Sequence, residues 1–261
     1  MNDSDLVLLE RRDRAAWITL NRPDAANALS LPTLQRLRTL LKEVAADGET
    51  WIVVITGAGD KVFCAGADLK ERRGFSEAQV RDFVAEIRGA MNDVAALPQP
   101  VIGALNGHAF GGGCELALAC DLRILDARAQ IGLTETSLAI IPGAGGCVRL
   151  PRLVGVAKAK EMILTAKRLA APEALACGLV NEIAAAGGVA AAAQRMVETL
   201  LKNGPLALRA AKAALDGGMD LPAPQALAHE AACYERVIPT EDRREALAAF
   251  AEKRAPVFRG R

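Results

Sequence analysis

The 261-residue chain carries 32 basic and 31 acidic residues, a formal net charge of +1, with 51% hydrophobic and 3% aromatic side chains. That length suits one large domain, or a domain with a small appendage, and can bury a sizeable core. The charge balance leaves no basic excess to grip a nucleic-acid backbone, and so few aromatics make no stacking platform for single strands. No apolar run reaches the roughly 20 residues that span a bilayer, and the opening MNDSDLVLLERRDR lacks the basic-then-apolar order of a secretory signal. The cysteines (Cys64, Cys114, Cys120, Cys147, Cys177 and Cys233) form no CxxC pair and mostly have apolar neighbours. They point to a reducing, cytoplasmic setting without disulfides or structural zinc. With only His108 and His229, a three-histidine metal site is excluded.

In chain order, residues 6–11 and 15–20 alternate around Arg12–Arg14 and predict a hairpin. Leu31, Leu34, Leu37, Leu40, Leu41 and Val44 recur at helical spacing, and Asp47-Gly48 stops the helix. Trp51 to Thr56 reads as a strand buried on both faces, running into Gly57-Ala58-Gly59. Val80, Phe83, Val84, Ile87, Met91 and Val94 restore the helical period before Pro98. Then come a strand at Val101–Leu105, a glycine turn at 111–113, a helix at Cys114–Cys120 and a strand at Leu122–Leu125. This repetition of strand, glycine-rich turn and helix fits a layered α/β architecture. From about residue 154 the pattern is helical: one helix at Val156–Lys167, a strand at Leu179–Ile183, and helices over 189–202, 205–217, 222–236 and 240–253. The alanine-rich stretch near 184–193 is helix-prone.

Chemistry has to rest on carboxylates, backbone amides and a few cations. Gly111-Gly112-Gly113 opens a helix, where amides lack internal partners and the dipole is positive, a setting for a carboxylate, a phosphate or a developing oxyanion. The glycines alone fit a tight turn equally well. Glu115 is the one charge in a run of Cys, Leu and Ala, so it is expected in an apolar interior with a raised pKa, unless it faces solvent at the helix start. Glu135 follows another strand-like run and precedes Pro142-Gly143-Ala144-Gly145-Gly146. Paired carboxylates in a dry cleft can divide labour, one holding a proton and one polarising water. Small residues at 65–67 let a ligand approach the backbone, with Lys70 a nearby cation or simply a solvated one. His108 reads as a packed or hydrogen-bonded side chain. No GxGxxG, P-loop or GxSxG elbow occurs, which argues against dinucleotide, nucleotide and serine-hydrolase readings.

Taken together, ITLNRPDAANALS (18–30), FCAGADLKE (63–71), GGGCELALACDLRI (111–124) and TETSLAIIPGAGG (134–146) resemble the enoyl-CoA hydratase/isomerase (crotonase) superfamily over nearly the whole chain. The tail ACYERVIPTEDRREALAAFAEKRAP (232–256) looks most like the methylglutaconyl-CoA hydratase branch.

The resemblance implies a crotonase-like α/β spiral of repeated ββα units over residues 1–200 carrying the site, and a C-terminal helical trimerisation segment over 201–261. It implies a homo-trimer or a hexamer built as a dimer of trimers. By the same matching, the amides of Ala67 and Gly112 form an oxyanion hole, Glu115 and Glu135 are the two hydratase acids, and the backbone of Ala67, Asp68, Leu69 and Lys70 holds the coenzyme A moiety. Lys70 and Lys253 would meet its phosphates. Asp24 stands where some relatives carry lysine, so a phosphate contact there lacks support.

The implied activity is reversible water addition to an enoyl-CoA, with methylglutaconyl-CoA favoured and Lys70, Arg72, Arg73 or Tyr234 as candidates for a distal substrate carboxylate. No metal or separate cofactor is required, since coenzyme A is part of the substrate. Alternatives are a general short-chain hydratase, an isomerase or thioester hydrolase on the same scaffold, or a non-enzymatic scaffold or RNA-binding role. Near-neutral charge argues against the last.

Overall fold

The computed structural model describes residues 3–261. Strands β1 (Val7–Arg12) and β2 (Ala15–Leu20) form the expected antiparallel hairpin, Val7 facing Leu20 and Arg12 facing Ala15. Helix α1 (Leu31–Ala46) begins at Ser30, whose hydroxyl accepts from the Thr33 amide, and buries Leu34, Leu37, Leu40, Leu41 and Val44. Strand β3 (Ile52–Gly57) then pairs in parallel with β2.

After a short strand β4 (Val62–Cys64) and the single-turn α2 (Leu69–Arg72), helix α3 (Glu77–Ala95) starts from a Ser76/Gln79 capping box. Strands β5 (Val101–Leu105) and β6 (His108–Phe110) lead into α4 (Gly112–Ala119), followed by β7 (Leu122–Asp126) and β8 (Gln130–Gly132). Helices α5 (Gly146–Val154) and α6 (Val156–Leu164), strand β9 (Leu169–Ala170), α7 (Ala171–Ala176) and β10 (Glu182–Ala184) complete the core with α8 (Val189–Leu200). Helices α9 (Pro205–Gly218), α10 (Ala223–Glu235) and α11 (Glu241–Glu252) form the C-terminal segment.

The strands divide between two sheets. The larger has the order β1-β2-β3-β5-β7-β10, parallel beyond the hairpin. The smaller has the order β4-β6-β8-β9, with β9 antiparallel. The three turns β3–β4, β5–β6 and β7–β8 therefore each send one strand to the first sheet and one short strand to the second, then a helix. One apolar core lies between the larger sheet and α1, α3 and α4; the other packs Trp17, Trp51, Ile52, Val54 and Ile102 against α8. A polar latch fixes α9: Nζ of the buried Lys212 donates to Asp121 at 2.7 Å and to the Gln99 carbonyl at 3.2 Å.

Several expectations need correction. Of the second sheet the sequence reading caught only the strand-like run before Glu135, because strands of two or three residues are too short to show a period, and α5 and α7 have no counterpart in it. The strand expected at Leu179–Ile183 lies at Glu182–Ala184. The helix expected to reach Lys167 stops at Leu164, and Ala166 turns left-handed with φ 50°. Within the alanine-rich stretch, Ala184 ends a strand and the helix waits until Val189, beyond Gly187 with φ 74°. Among the described residues no helix is long and apolar enough to cross a membrane.

Candidate active site

The site begins with a close approach of two backbone segments. Leu29 bridges to residues 66–68 in parallel fashion: its amide donates to the Gly66 carbonyl at 2.8 Å, and its carbonyl accepts from the Asp68 amide at 3.0 Å. In such a bridge the middle residue turns its own N–H to the opposite side, so the Ala67 amide faces away from Leu29. On that side lies the start of α4. Gly66, with φ 91°, could carry no side chain, since a Cβ would fall 2.8 Å from the Gly112 nitrogen. A Cβ on Gly112 would lie 3.5 Å from the Ala67 nitrogen. The backbone at 67 and the start of α4 at 112 are therefore packed against each other, and the Gly112 amide lies at the positive end of a helix without an intrahelical acceptor. Gly113 completes the fit, because a Cβ there would overlap the Cys64 carbonyl.

A cavity of about 520 Å³ opens at this point, with Ala67, Gly112, Glu115 and Glu135 all in its wall. Glu115 is 3% exposed on the first turn of the otherwise apolar α4. Its Oε1 accepts from the Ala144 amide at 2.7 Å and the Gly146 amide at 2.9 Å. Burial raises its pKa, while those two amides and the charges of Arg149 and Arg88 oppose the rise. Glu135 is 9% exposed in the 3-10 turn Glu135–Leu138 after β8, with its carboxyl against Gly111. Its Oε2 is buried without a hydrogen-bond partner, and burial, reinforced by the negative charge of Glu115, pushes its pKa up to about 7.

The two acids thus share a cavity but not an environment. One is gripped by two amides that favour the carboxylate, and the other is buried with one oxygen unpartnered, so that it titrates near neutrality. With the backbone of Ala67 and Gly112 in the same wall, such a pair of acids suits moving protons on and off an atom beside a carbonyl group.

The remaining sequence candidates are distributed differently. Leu69 and Arg72 line the cavity. Asp68 is turned to structural use: it caps α2 through the Lys70 and Glu71 amides and pairs with Arg22 at 3.0 Å. Lys70, Arg73, Tyr234 and Lys253 are not in the cavity wall; Tyr234 is 63% exposed on α10, and Lys253 ends α11 in a left-handed conformation. His108 is packed as expected, with Nδ1 accepting from the Gln130 amide at 3.0 Å and the ring stacked on Phe110.

Sequence reasoning missed Arg88, which reaches into the cavity wall from α3 and donates to the Gly143 carbonyl at 2.9 Å. It also missed that the glycine run at 143–146 supplies the partners of Glu115. The only signal was the run itself, which the sequence places beside Glu135. Among the described residues no group of three or more His, Cys, Asp or Glu is placed to hold a metal ion.

The model of the family described as enoyl-CoA hydratase/isomerase matches residues 10–261. The chain is 49% identical over 260 residues to YngF of Bacillus subtilis, covering 100% of both. It is 43% identical over 257 residues to the mitochondrial methylglutaconyl-CoA hydratase of Homo sapiens, covering 97% of this chain and 76% of that one. Among solved structures, enoyl-CoA hydratase from Bacillus anthracis superposes with a TM-score of 0.96 at 48% identity, covering 98% of this chain and 100% of the other. A crotonase-type spiral with this match along nearly all of its length makes the assignment plain: the chain belongs to the enoyl-CoA hydratase/isomerase family.

Proposed function

We propose that the protein is a hydro-lyase that reversibly adds water across the 2,3 double bond of an enoyl-CoA. The observation that carries this reading is the unlike pair Glu115 and Glu135 in one cavity. The thioester oxygen accepts from the Ala67 and Gly112 amides. As water adds at the β-carbon, charge grows on that oxygen, and the two donors bind the resulting enolate better than the ground state. Glu115, whose charged form the Ala144 and Gly146 amides favour against the cost of burial, takes the proton of the attacking water. Glu135, protonated near neutrality, delivers a proton to the α-carbon. In dehydration the roles reverse. An isomerase needs only one acid to shuttle a proton; two acids with different proton affinities suit water addition.

The acyl group we assign is branched and acidic, of the methylglutaconyl type. Val84, Ile87, Leu138, Ile140 and Ile141 give the cavity an apolar wall for a short branched chain, and Arg72 and Arg88 are the cations in that wall. The Nε of Arg88 is engaged by Gly143, which leaves its terminal nitrogens for a distal carboxylate. Likeness to the human methylglutaconyl-CoA hydratase supports this assignment. Coenzyme A enters as part of the substrate, with the backbone of 67–70 and the ammonium groups of Lys70 and Lys253 as its proposed contacts. We also assign a trimeric or hexameric state: Leu215, Leu227 and Phe250 of the C-terminal helices are 69%, 64% and 85% exposed in the single chain, as faces awaiting further copies would be.

The test compares kcat/KM for methylglutaconyl-CoA and crotonyl-CoA in the hydration direction. A preference for the first is expected. A preference for crotonyl-CoA removes the acyl assignment and leaves the hydratase. Double-bond migration without water addition overturns both.

A further inference from the structure

The grip on Glu115 depends on an unusual stretch of backbone. Two amides separated by one residue reach the same oxygen because Gly145 between them is left-handed, with φ 110°. Behind that loop lies Arg149 of α5. Its Nη1 donates to the Ala144 carbonyl at 3.1 Å, and its Nη2 donates to Asn92 Oδ1 on α3 at 2.8 Å. The guanidinium covers Gly145 so closely that a Cβ there would overlap it. Arg149 is not in the cavity wall, so it is placed to act on the loop and on Glu115 rather than on substrate.

We propose that Arg149 is a positioning residue: it staples the 144–146 loop to α3, keeps two amides on one oxygen of Glu115, and so favours the charged form of that carboxyl. The proposal rests on the reading of Glu115 as the base. Glu115 is faced by Cys114 on its own helix, by Cys147 and Arg149 of α5, by Arg88 of α3, and by Glu135. Desolvation, complete at Cys114 and slight at the exposed Cys147, and the two glutamates push both thiols up. Glu135 disfavours charge on Glu115, and Arg88 and Arg149 favour it. Arg88 holds Gly143 through Nε alone and borders the substrate space, whereas Arg149 adds both charge and the mechanical link to Asn92. Burial lowers the pKa of Arg149 and the charge of Glu115 raises it, so the two groups are coupled directly as well as through the loop.

The experiment measures kcat against pH at saturating crotonyl-CoA for the wild type, Arg149→Met, Arg149→Lys, Asn92→Ala and Glu115→Gln. Arg149→Met should lower kcat at pH 7 roughly tenfold and move the acid limb of the profile up by about one pH unit, with KM little changed. Arg149→Lys should return the limb toward its original place. Asn92→Ala should shift it in the same direction as Arg149→Met but by less, and decides the matter if Arg149→Met does not fold. An acid limb that stays in place in Arg149→Met, or in Asn92→Ala should the former not fold, overturns the proposal whatever happens to kcat. Glu115→Gln separates the failures: if it retains turnover, the assignment of the base is wrong, whereas an inactive Glu115→Gln beside an unmoved limb removes Arg149 alone.

Discussion

In the larger sheet, β3 and β5 carry apolar residues at almost every position, and Ile52, Val53, Val54 and Ile55 are wholly buried. In the smaller sheet no strand exceeds three residues, and the glycines 111–113 and the buried Glu135 follow within three residues of two of them. The first sheet gathers apolar area and fixes where each α/β turn begins. The second brings the backbone at 66–67 and at 111–112 close together and leaves a cavity beside them. Stability and chemistry are thus drawn from different layers of one spiral. The teaching is physical: a long apolar strand has its polar groups consumed in the ladder, while a three-residue strand ends soon enough to leave amides at its margin free for a ligand.

The largest effect that could break this division is on turnover. Glu115→Gln and Glu135→Gln should each lower kcat about 10²–10⁴-fold, with circular dichroism and melting temperature close to wild type. A variant that kept more than a tenth of the activity would remove its residue from the mechanism.

The mirror-image change lies beneath the larger sheet. Leu40→Ala, at a buried position of α1, should cost about 2–5 kcal/mol in urea unfolding while kcat per folded molecule stays the same. A matching loss of kcat in the folded fraction would show that the layers are not separable.

A third test sets stability against pH. The pKa of Glu135 is about 7 in the folded chain against an ordinary 4.5, so the folded state binds the extra proton and stability falls as pH rises between those values. Compared with Glu135→Gln, the wild type should lose about 2–3 kcal/mol between pH 5 and pH 8, read as the difference between two denaturation series. Parallel series would mean that Glu135 is not held protonated.

The smallest effect concerns charges on the outer edge of the larger sheet. Arg11 of β1 pairs with Glu43 and Asp47 at the end of α1 in exposed positions, and Arg11→Ala should change stability by less than about 1 kcal/mol and leave kcat alone. A larger change would give surface charge a weight that this comparison denies it.

Legibility followed the same division. The hairpin, α1, β3, α3, β5 and the last four helices were readable because each repeats a period long enough to be seen against noise. Glu115 stood out as a lone charge in an apolar helix, and the triple glycine marked the helix start. The small sheet was invisible for want of length. The pairing of Glu115 with residues 144 and 146 was invisible because it joins positions 29 and 31 residues apart through backbone atoms, which carry no side-chain signature.

By itself the sequence determined the long strands and most of the helices, the absence of a basic excess, and two carboxylates set in apolar surroundings, together with a family likeness carried by four motifs. Only the tertiary structure decided that Asp68 caps a helix, that Lys70 and Lys253 stand outside the cavity wall while Arg88 is in it, and that the two acids differ in their partners. The reason is that local pattern fixes what a residue prefers, whereas a carboxyl's charge is set by which amides and cations the packed chain carries to within hydrogen-bonding reach.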